Sequence, residues 1–348
     1  MKLIKGLGNF FGLDIGTNAI RVVELSGGPT SWNLEHYAYV PVDSKIIASD
    51  SPEAQRRLGE GIITAIGQSG IKTHDVAVGL PSNKTFNTVV DVPKGSDAEL
   101  RAAMKYQVDQ YVPGAIEDTK VDWALLGASL HAADQQEVLI SSVSKDYSEQ
   151  RLEFIEGLGF NVIAIEPDPV AMTRALVPAG NQAALLLLDM GEQSTDIVIV
   201  YGDTPRLLRT IPTGLNSFIK SATQNLNVQE DQARQFILKF GLASDRLEGQ
   251  VLHALEVTLD GFAAELVKSI KFFQTRYPNV TISAQMLTGF AATVPLLDRY
   301  IATKTNVPAT VASPWQNVNV SQGAQTQLAP VANEFATAVG LAKRGRVA

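Results

Sequence analysis

A short pattern occurs twice in this chain, and the two copies lie about half the chain apart. The first runs Phe11-Gly12-Leu13-Asp14-Ile15-Gly16-Thr17-Asn18-Ala19-Ile20-Arg21-Val22-Val23-Glu24-Leu25. The second runs Leu185-Leu186-Leu187-Leu188-Asp189-Met190-Gly191-Glu192-Gln193-Ser194-Thr195-Asp196-Ile197-Val198-Ile199-Val200. Setting Asp14 on Asp189 also sets Gly16 on Gly191 and leaves a β-branched run after each turn. Each copy reads as a hairpin: an apolar strand ends at Asp, Gly and small polar residues turn the chain, and a β-branched strand returns. Glycine is useful there because it can take positive φ and lets another group come close to the backbone. Successive turn amides form a concavity for anions, and an Asp at the strand end can hold the water shell of Mg²⁺. Two such hairpins face to face would clamp a polyphosphate from both sides. One Asp-x-Gly turn is weak evidence, whereas two, each closing an apolar strand, constrain the fold.

The rest of the chain supplies alternating strands and helices. A strand is expected over Trp32–Val40. A helix follows, capped by Ser51 with Pro52 in its first turn, with Leu58, Ile62 and Ile66 on one face and Gly67 and Gly70 near its end. Asp75–Leu80 is an apolar strand stopped by Pro81, and Thr85–Val92 is another. Ser96 and Glu99 form a capping box for a helix whose Leu100, Met104 and Val108 stripe reads as core. Trp123–Leu126 and Val138–Ile140 read as strands, and Leu152, Ile155 and Leu158 mark a helix. In the second half Asn216–Ala222 starts a helix, residues 228–277 are mostly helical, Met286–Ala291 looks like a strand, a turn and the start of a helix, and Val307–Val311 is a short strand. Glu334–Lys343 closes the chain as a helix.

These features, in this order, resemble the actin, heat-shock-chaperone and sugar-kinase superfamily, with one phosphate loop in each duplicated domain. Ile163-Ala164-Ile165-Glu166-Pro167 with Ala171 resembles the connecting motif of FtsA and PilM. Ile211-Pro212-Thr213-Gly214 resembles the turn after the second hairpin, and Glu334–Ala342 resembles the closing helix of PilM. The chain thus resembles the PilM family of type IV pilus assembly proteins over nearly its whole length. The resemblance implies an α/β fold of duplicated actin-like (ribonuclease H-like) domains with a nucleotide cleft between them and a small inserted α+β subdomain. It implies a first domain over 1–80 and 161–182, an insertion over 81–160, and a second domain over 183–330 with a helical subdomain at 216–277. A closing helix over 331–348 would return to the first domain.

The resemblance further implies ATP and Mg²⁺. Asp14 and Asp189 would face the metal through water. Amides around Gly16, Thr17, Asn18, Gly191, Glu192, Gln193 and Ser194 would cradle phosphates, Gly214, Gly289 and Phe290 would lie by the ribose and base, and Glu166 would orient a water. The implied role is a cytoplasmic adaptor at the inner membrane. It would hold the N-terminal peptide of a PilN-like membrane protein, with the pilus motor ATPases and self-association as further contacts. A filament-forming FtsA-like protein and a small-molecule kinase are the rival readings. Several positions depart from the family's pattern. Glu192 replaces a Gly or Ala, Arg234 and Ile237 stand at the adenosine-contacting Glu and Lys positions, and Phe290 and Leu215 follow Gly289 and Gly214.

Composition excludes several other classes. A net charge of −7 argues against a general nucleic-acid binder, which needs a basic surface to release counterions. The absence of cysteine excludes disulfides and thiolate metal sites. His36, His74, His131 and His253 are isolated, with no metal-ligand spacing. Gly6, Gly8 and Gly12 are spaced one residue too widely for a dinucleotide fingerprint and precede their strand. The apolar run Ala183–Leu188 is far below the roughly 20 residues of a membrane span, and no secretory signal is evident. The one basic cluster, Lys343-Arg344-Gly345-Arg346, reads as a solvated tail.

Overall fold

The computed structural model describes residues 8–345 apart from 30 and 179. The lead-in over 1–7 and Arg346 of the basic cluster lie outside the described residues. β1 (Phe11–Ile15) and β2 (Ala19–Gly28) make the first hairpin, and β3 (Ser31–Pro41) extends it antiparallel. After the one-turn helix α1 (Ser44–Ile47), α2 (Pro52–Ser69) starts where Ser51 Oγ accepts the Ala54 amide. Its Leu58 and Ile62 are buried against the sheet. Gly67 sits inside the helix, and Gly70, with φ of 79°, caps it in the left-handed conformation that glycine favours. β4 (Asp75–Leu80) then pairs parallel to β1.

The chain next leaves this sheet to build a smaller one. β5 (Thr85–Pro93), α3 (Asp97–Gln107), β6 (Thr119–Ala128) and β7 (Gln135–Ser144) form a three-stranded antiparallel sheet in the order β5-β7-β6, with one helix. Both halves of the Ser96–Glu99 capping box are present. Leu100 and Met104 are buried with Val92, Val138 and Ile140, so the stripe is core. β6 and β7 outrun their apolar centres because the cross-strand ladder also pairs their polar ends. α4 (Lys145–Gly157) leads back to β8 (Asn161–Pro167), which pairs parallel to β4, and α5 (Asp168–Leu176) follows.

The second half repeats the plan. β9 (Ala184–Met190), β10 (Thr195–Tyr201) and β11 (Thr204–Ile211) form an antiparallel meander. α6 (Leu215–Leu226), α7 (Glu230–Phe240) and α8 (Gln250–Arg276) cover it. β12 (Ile282–Gly289) adds parallel to β9, and after α9 (Leu297–Thr305) the strand β13 (Ala309–Val311) adds parallel to β12. β14 (Val318–Asn319), α10 (Gln322–Leu328) and α11 (Ala336–Ala342) return to the first sheet. The two large sheets run β14-β3-β2-β1-β4-β8 and β11-β10-β9-β12-β13. Apart from the short β14 they have the same order, three antiparallel strands followed by two parallel ones. β11 is not anticipated by sequence pattern, because Arg206 and Arg209 interrupt its apolar alternation.

α11 is buried along its whole length and crosses α5 closely. A β-carbon on Gly340 would overlap the backbone carbonyl of Ala171, and one on Gly12 would come within 2.5 Å of the Ala338 carbonyl oxygen. This depth draws in the basic cluster, contrary to the solvated-tail expectation. Lys343 Nζ donates to the Gln316 carbonyl at 3.1 Å, and Arg344 pairs with Glu166. Burial lowers the Lys343 pKa to about 8.

A charged network joins the small sheet to the second half. Glu137 is fully buried, pairs with Arg206 of β11, and accepts the Tyr277 hydroxyl at 2.6 Å. Arg276 reaches Asp91 at 2.8 Å, and His131 Nε2 lies 3.2 Å from the same carboxylate. Asp91, His131 and Glu137 bring ligand-type atoms within 4.8 Å of one another. The arginines and the tyrosine already engage the carboxylates, so the cluster is an ion-pair network in its present form.

Candidate functional site: a cleft between two glycine turns

Both hairpins close alike. The Gly16 amide donates to the Ala19 carbonyl at 3.1 Å, and the Gly191 amide donates to the Ser194 carbonyl at 2.9 Å. The two turns face each other, since a β-carbon on Gly191 would lie 3.9 Å from Thr17 Oγ1. The start of α6 docks on the second turn, with the Leu215 and Asn216 amides donating to the Gly191 and Glu192 carbonyls at 3.0 and 2.9 Å. Gly214 fits there because a β-carbon would come within 2.6 Å of the Glu192 carbonyl oxygen. β12 delivers Gly289 and Phe290 beside Asp189. Gly289 has φ of +61°, and a side chain on it would strike the Asp189 carboxylate. The structure thus brings Thr17 of the first turn opposite Gly191 of the second, Gly214 against Glu192 and Gln193, and Gly289 against Asp189. Asn18 is tied down: its side chain bonds Arg21 at 2.9 Å and Glu334 at 3.1 Å.

The duplicated register is asymmetric in charge. Asp14 stands opposite Arg21, whereas Asp189 stands opposite Asp196. Arg21 is buried, lies 3.3 Å from Asp14, and also pairs with Glu334. Asp196 accepts the Ser82 and Thr210 hydroxyls, both at 2.6 Å, and the Ser82 bond ties the loop after β4 to the second sheet. Burial, then Asp196 and Asp14, push the Asp189 pKa up to about 7. Burial, then Asp14, Asp196 and Asp189, hold Asp168 well above the usual carboxylate range. Its Oδ1 is buried without a hydrogen-bond partner and sits against Gly79, where a β-carbon would displace it. Asp14, Asp168 and Asp189 are oxygen donors of the kind a hard divalent cation takes, but their oxygens do not converge within 4.8 Å of one another as a three-ligand set.

Because the folded Asp189 pKa lies above the ordinary 3.8, its contribution to stability is complete below that value and lost as the pH rises through about 7. Asp189→Asn is therefore expected to raise the midpoint of thermal unfolding at pH 8 and to leave it nearly unchanged at pH 4. Scanning calorimetry at the two pH values checks this, and equal shifts at both would exclude a raised carboxyl.

The family model for type IV pilus assembly protein PilM matches residues 12–346. The chain belongs to the PilM family. In fold it is similar to a PilM–PilN type IV pilus biogenesis complex at a TM-score of 0.79 and 23% identity, covering 96% of this chain and 98% of that one. It is similar to the ethanolamine utilization protein EutJ from Carboxydothermus hydrogenoformans at 0.54 and 14%, covering 98% and 91%. MreB5 of Spiroplasma citri, solved bound to ADP, matches at 0.51 and 13%, covering 95% and 94%. The fold of this PilM-family chain is therefore actin-like α/β. Among the described residues no helix is long and apolar enough to cross a membrane.

Within this actin-like frame one expected residue is redirected. Both oxygens of Glu166 are held by arginines, Oε1 by Arg174 and Oε2 by Arg344, so its carboxylate is spent on ion pairs and is not free to orient a water. The carboxylate facing the other aspartates is Asp168, two residues on. Pattern reading also passes over Arg21, although a lone arginine inside a β-branched run is a visible signal. Two departures from the family's pattern meet each other: Arg234 Nη2 bonds both oxygens of buried Glu192, at 2.6 and 2.7 Å. Ile237, the third, is buried in the core of the second half.

Proposed function

We propose that this PilM-family protein is a nucleotide-responsive adaptor of the type IV pilus machine, binding Mg·ATP in the cleft between the hairpins. The observation that carries the reading is the apposition of the two glycine turns around Asp14, Asp168 and Asp189. Turn amides would hold phosphate oxygens. Gly289 and Gly214 would let a nucleoside approach the backbone, and the buried Phe290 ring would meet a base once the Arg234 guanidinium over it moves aside. Asp14, Asp168 and Asp189 would hold Mg²⁺ through its waters, and the cation would supply the charge that lets polyphosphate sit among carboxylates. We assign the water-orienting position to Asp168 in place of Glu166. Turnover is at most slow.

The partner is a PilN-like membrane protein, whose N-terminal peptide would bring the chain to the inner membrane, with the pilus motor ATPases as the further contact. A groove of about 670 Å³ between α2 and α4, lined by Pro52, Gln55, Gly59, Ile63, Phe154 and Leu158, offers apolar anchors for an extended peptide. Nucleotide would alter partner affinity only by favouring one relative placement of the two halves, the placement that the Ser82–Asp196 bond joins.

Calorimetric titration with Mg·ATP is expected to show saturable binding that Asp189→Ala abolishes. A second titration with a PilN N-terminal peptide, with and without Mg·ATP, tests the coupling. Absence of binding at millimolar ATP by the wild type and by Glu192→Gln alike would reduce the cleft to a scaffold, and equal peptide affinity in both conditions would remove nucleotide control.

A further inference from the structure

Glu192 and Arg234 occupy the part of the cleft where both ends of a nucleotide would meet the protein. Glu192 belongs to the second turn and is 5% exposed. Its backbone is pinned, with the Asn216 amide on its carbonyl and Gly214 packed against it, so the carboxylate has little room to retreat. Arg234 reaches it from α7 and lays its guanidinium over the Phe290 ring, with Cζ 5.8 Å from the ring centre. One arginine thus neutralises the turn and covers the aromatic face. The cation of the first turn is already committed, since Arg21 serves Asp14, Asn18 and Glu334.

We propose that the Glu192–Arg234 pair is an internal brake on nucleotide binding, an inference that rests on the cleft's being the nucleotide site. Two costs follow from the geometry. A base stacking on Phe290 has to displace the guanidinium from the ring. Phosphates at the second turn meet a buried carboxylate, and like charges in a poorly solvated site repel strongly. Arg234 cannot simply leave Glu192 for the phosphates, because the carboxylate would then be buried and unpaired. Glu192 therefore competes with the ligand for Arg234 and sets the affinity low.

This arrangement predicts opposite signs for the two halves of one ion pair. Glu192→Gln keeps the shape, removes the anion and frees Arg234 for phosphate, so Mg·ATP binding should tighten by about tenfold, the effect of one screened charge contact. Arg234→Met leaves the carboxylate unpaired and should weaken binding by at least about tenfold. The double variant should bind no more weakly than the wild type, a non-additivity that marks direct coupling. A purely structural pair would lose affinity on removal of either member.

The test is calorimetric titration of the full chain and the three variants with Mg·ATP, with ligand-free thermal unfolding as a check on folding. Tighter binding by Glu192→Gln, weaker binding by Arg234→Met and recovery in the double variant support the brake. Measurable binding by Glu192→Gln where the wild type shows none also supports it. If the wild type binds and Glu192→Gln binds equally or more weakly, the brake falls and the nucleotide site stands. If the wild type and every variant fail to bind at millimolar Mg·ATP, the site and the brake fall together. Should Glu192→Gln alone unfold, the double variant decides: affinity below wild type overturns the proposal.

Discussion

Gly340→Ala should prevent the closing helix from docking and leave the protein largely insoluble. The added methyl would overlap the Ala171 carbonyl, and the obstacle is backbone on both sides, so no rotamer change relieves it. α5 and α11 would have to separate along a buried crossing, in which Phe335, Val339 and Leu341 are themselves fully buried. Overpacking a core costs about 1–3 kcal/mol and more where the backbone itself must move, and this site belongs at the upper end. Gly67→Ala is the control. It lies in the exposed interior of α2 with nothing within 4 Å of the added atom, and should stabilise by roughly 0.5–1 kcal/mol through helix propensity alone. Soluble yield and thermal unfolding of the two variants should move in opposite directions. A soluble Gly340→Ala protein with an unchanged midpoint would show that the crossing is looser than described.

The second large effect is expected at Glu137. Its replacement by Ala leaves Arg206 buried at 6% exposure without its carboxylate, and it strips the Tyr277 hydroxyl of its acceptor. Breaking a buried pair from one side costs about 3–5 kcal/mol, whereas replacing both partners with apolar residues is often close to neutral. Glu137→Leu combined with Arg206→Leu should therefore recover most of the loss. Because the network joins the small sheet to the second half, the damage should appear first as undocking of that sheet. Trp123 on β6 provides a local probe, and urea unfolding followed by its fluorescence, in a background with Trp32 and Trp315 replaced by Phe, should show an early transition in Glu137→Ala. One transition at the wild-type midpoint would mean that the network contributes little.

Much of this architecture was legible in the sequence because it rests on local signals. The two hairpins declare themselves by an Asp, a Gly and a β-branched return. Ser51, Ser96 and Glu99 mark helix starts through bonds to amides three residues away, and Pro52 through its fixed φ at the first position. What escaped depends on distant partners. Arg206 and Arg209 look like surface charges within β11, yet Arg206 is spent on Glu137, and Arg209 bonds Ser269 at 2.9 Å and pairs with Glu265. Glu192 and Arg234 each look like a lost function when read alone. Together they are one ion pair, and their separation along the chain hides this from any pattern of short period. Glu166 shows the opposite failure. Its motif is visible, but Arg344 from the far end of the chain decides where its carboxylate points.

The burial of α11 also bears on how the protein is made. The helix covers β1, β2 and β4, strands from the beginning of the chain, yet a ribosome delivers it only after the whole second half has been synthesised. Until then the first sheet keeps an uncovered apolar face, the condition under which nascent chains engage chaperones or aggregate. The half that emerges first is thus the half that finishes last, and a chain released before α11 would leave β1 and β4 uncovered and the shared core with Leu187 and Val198 unfilled.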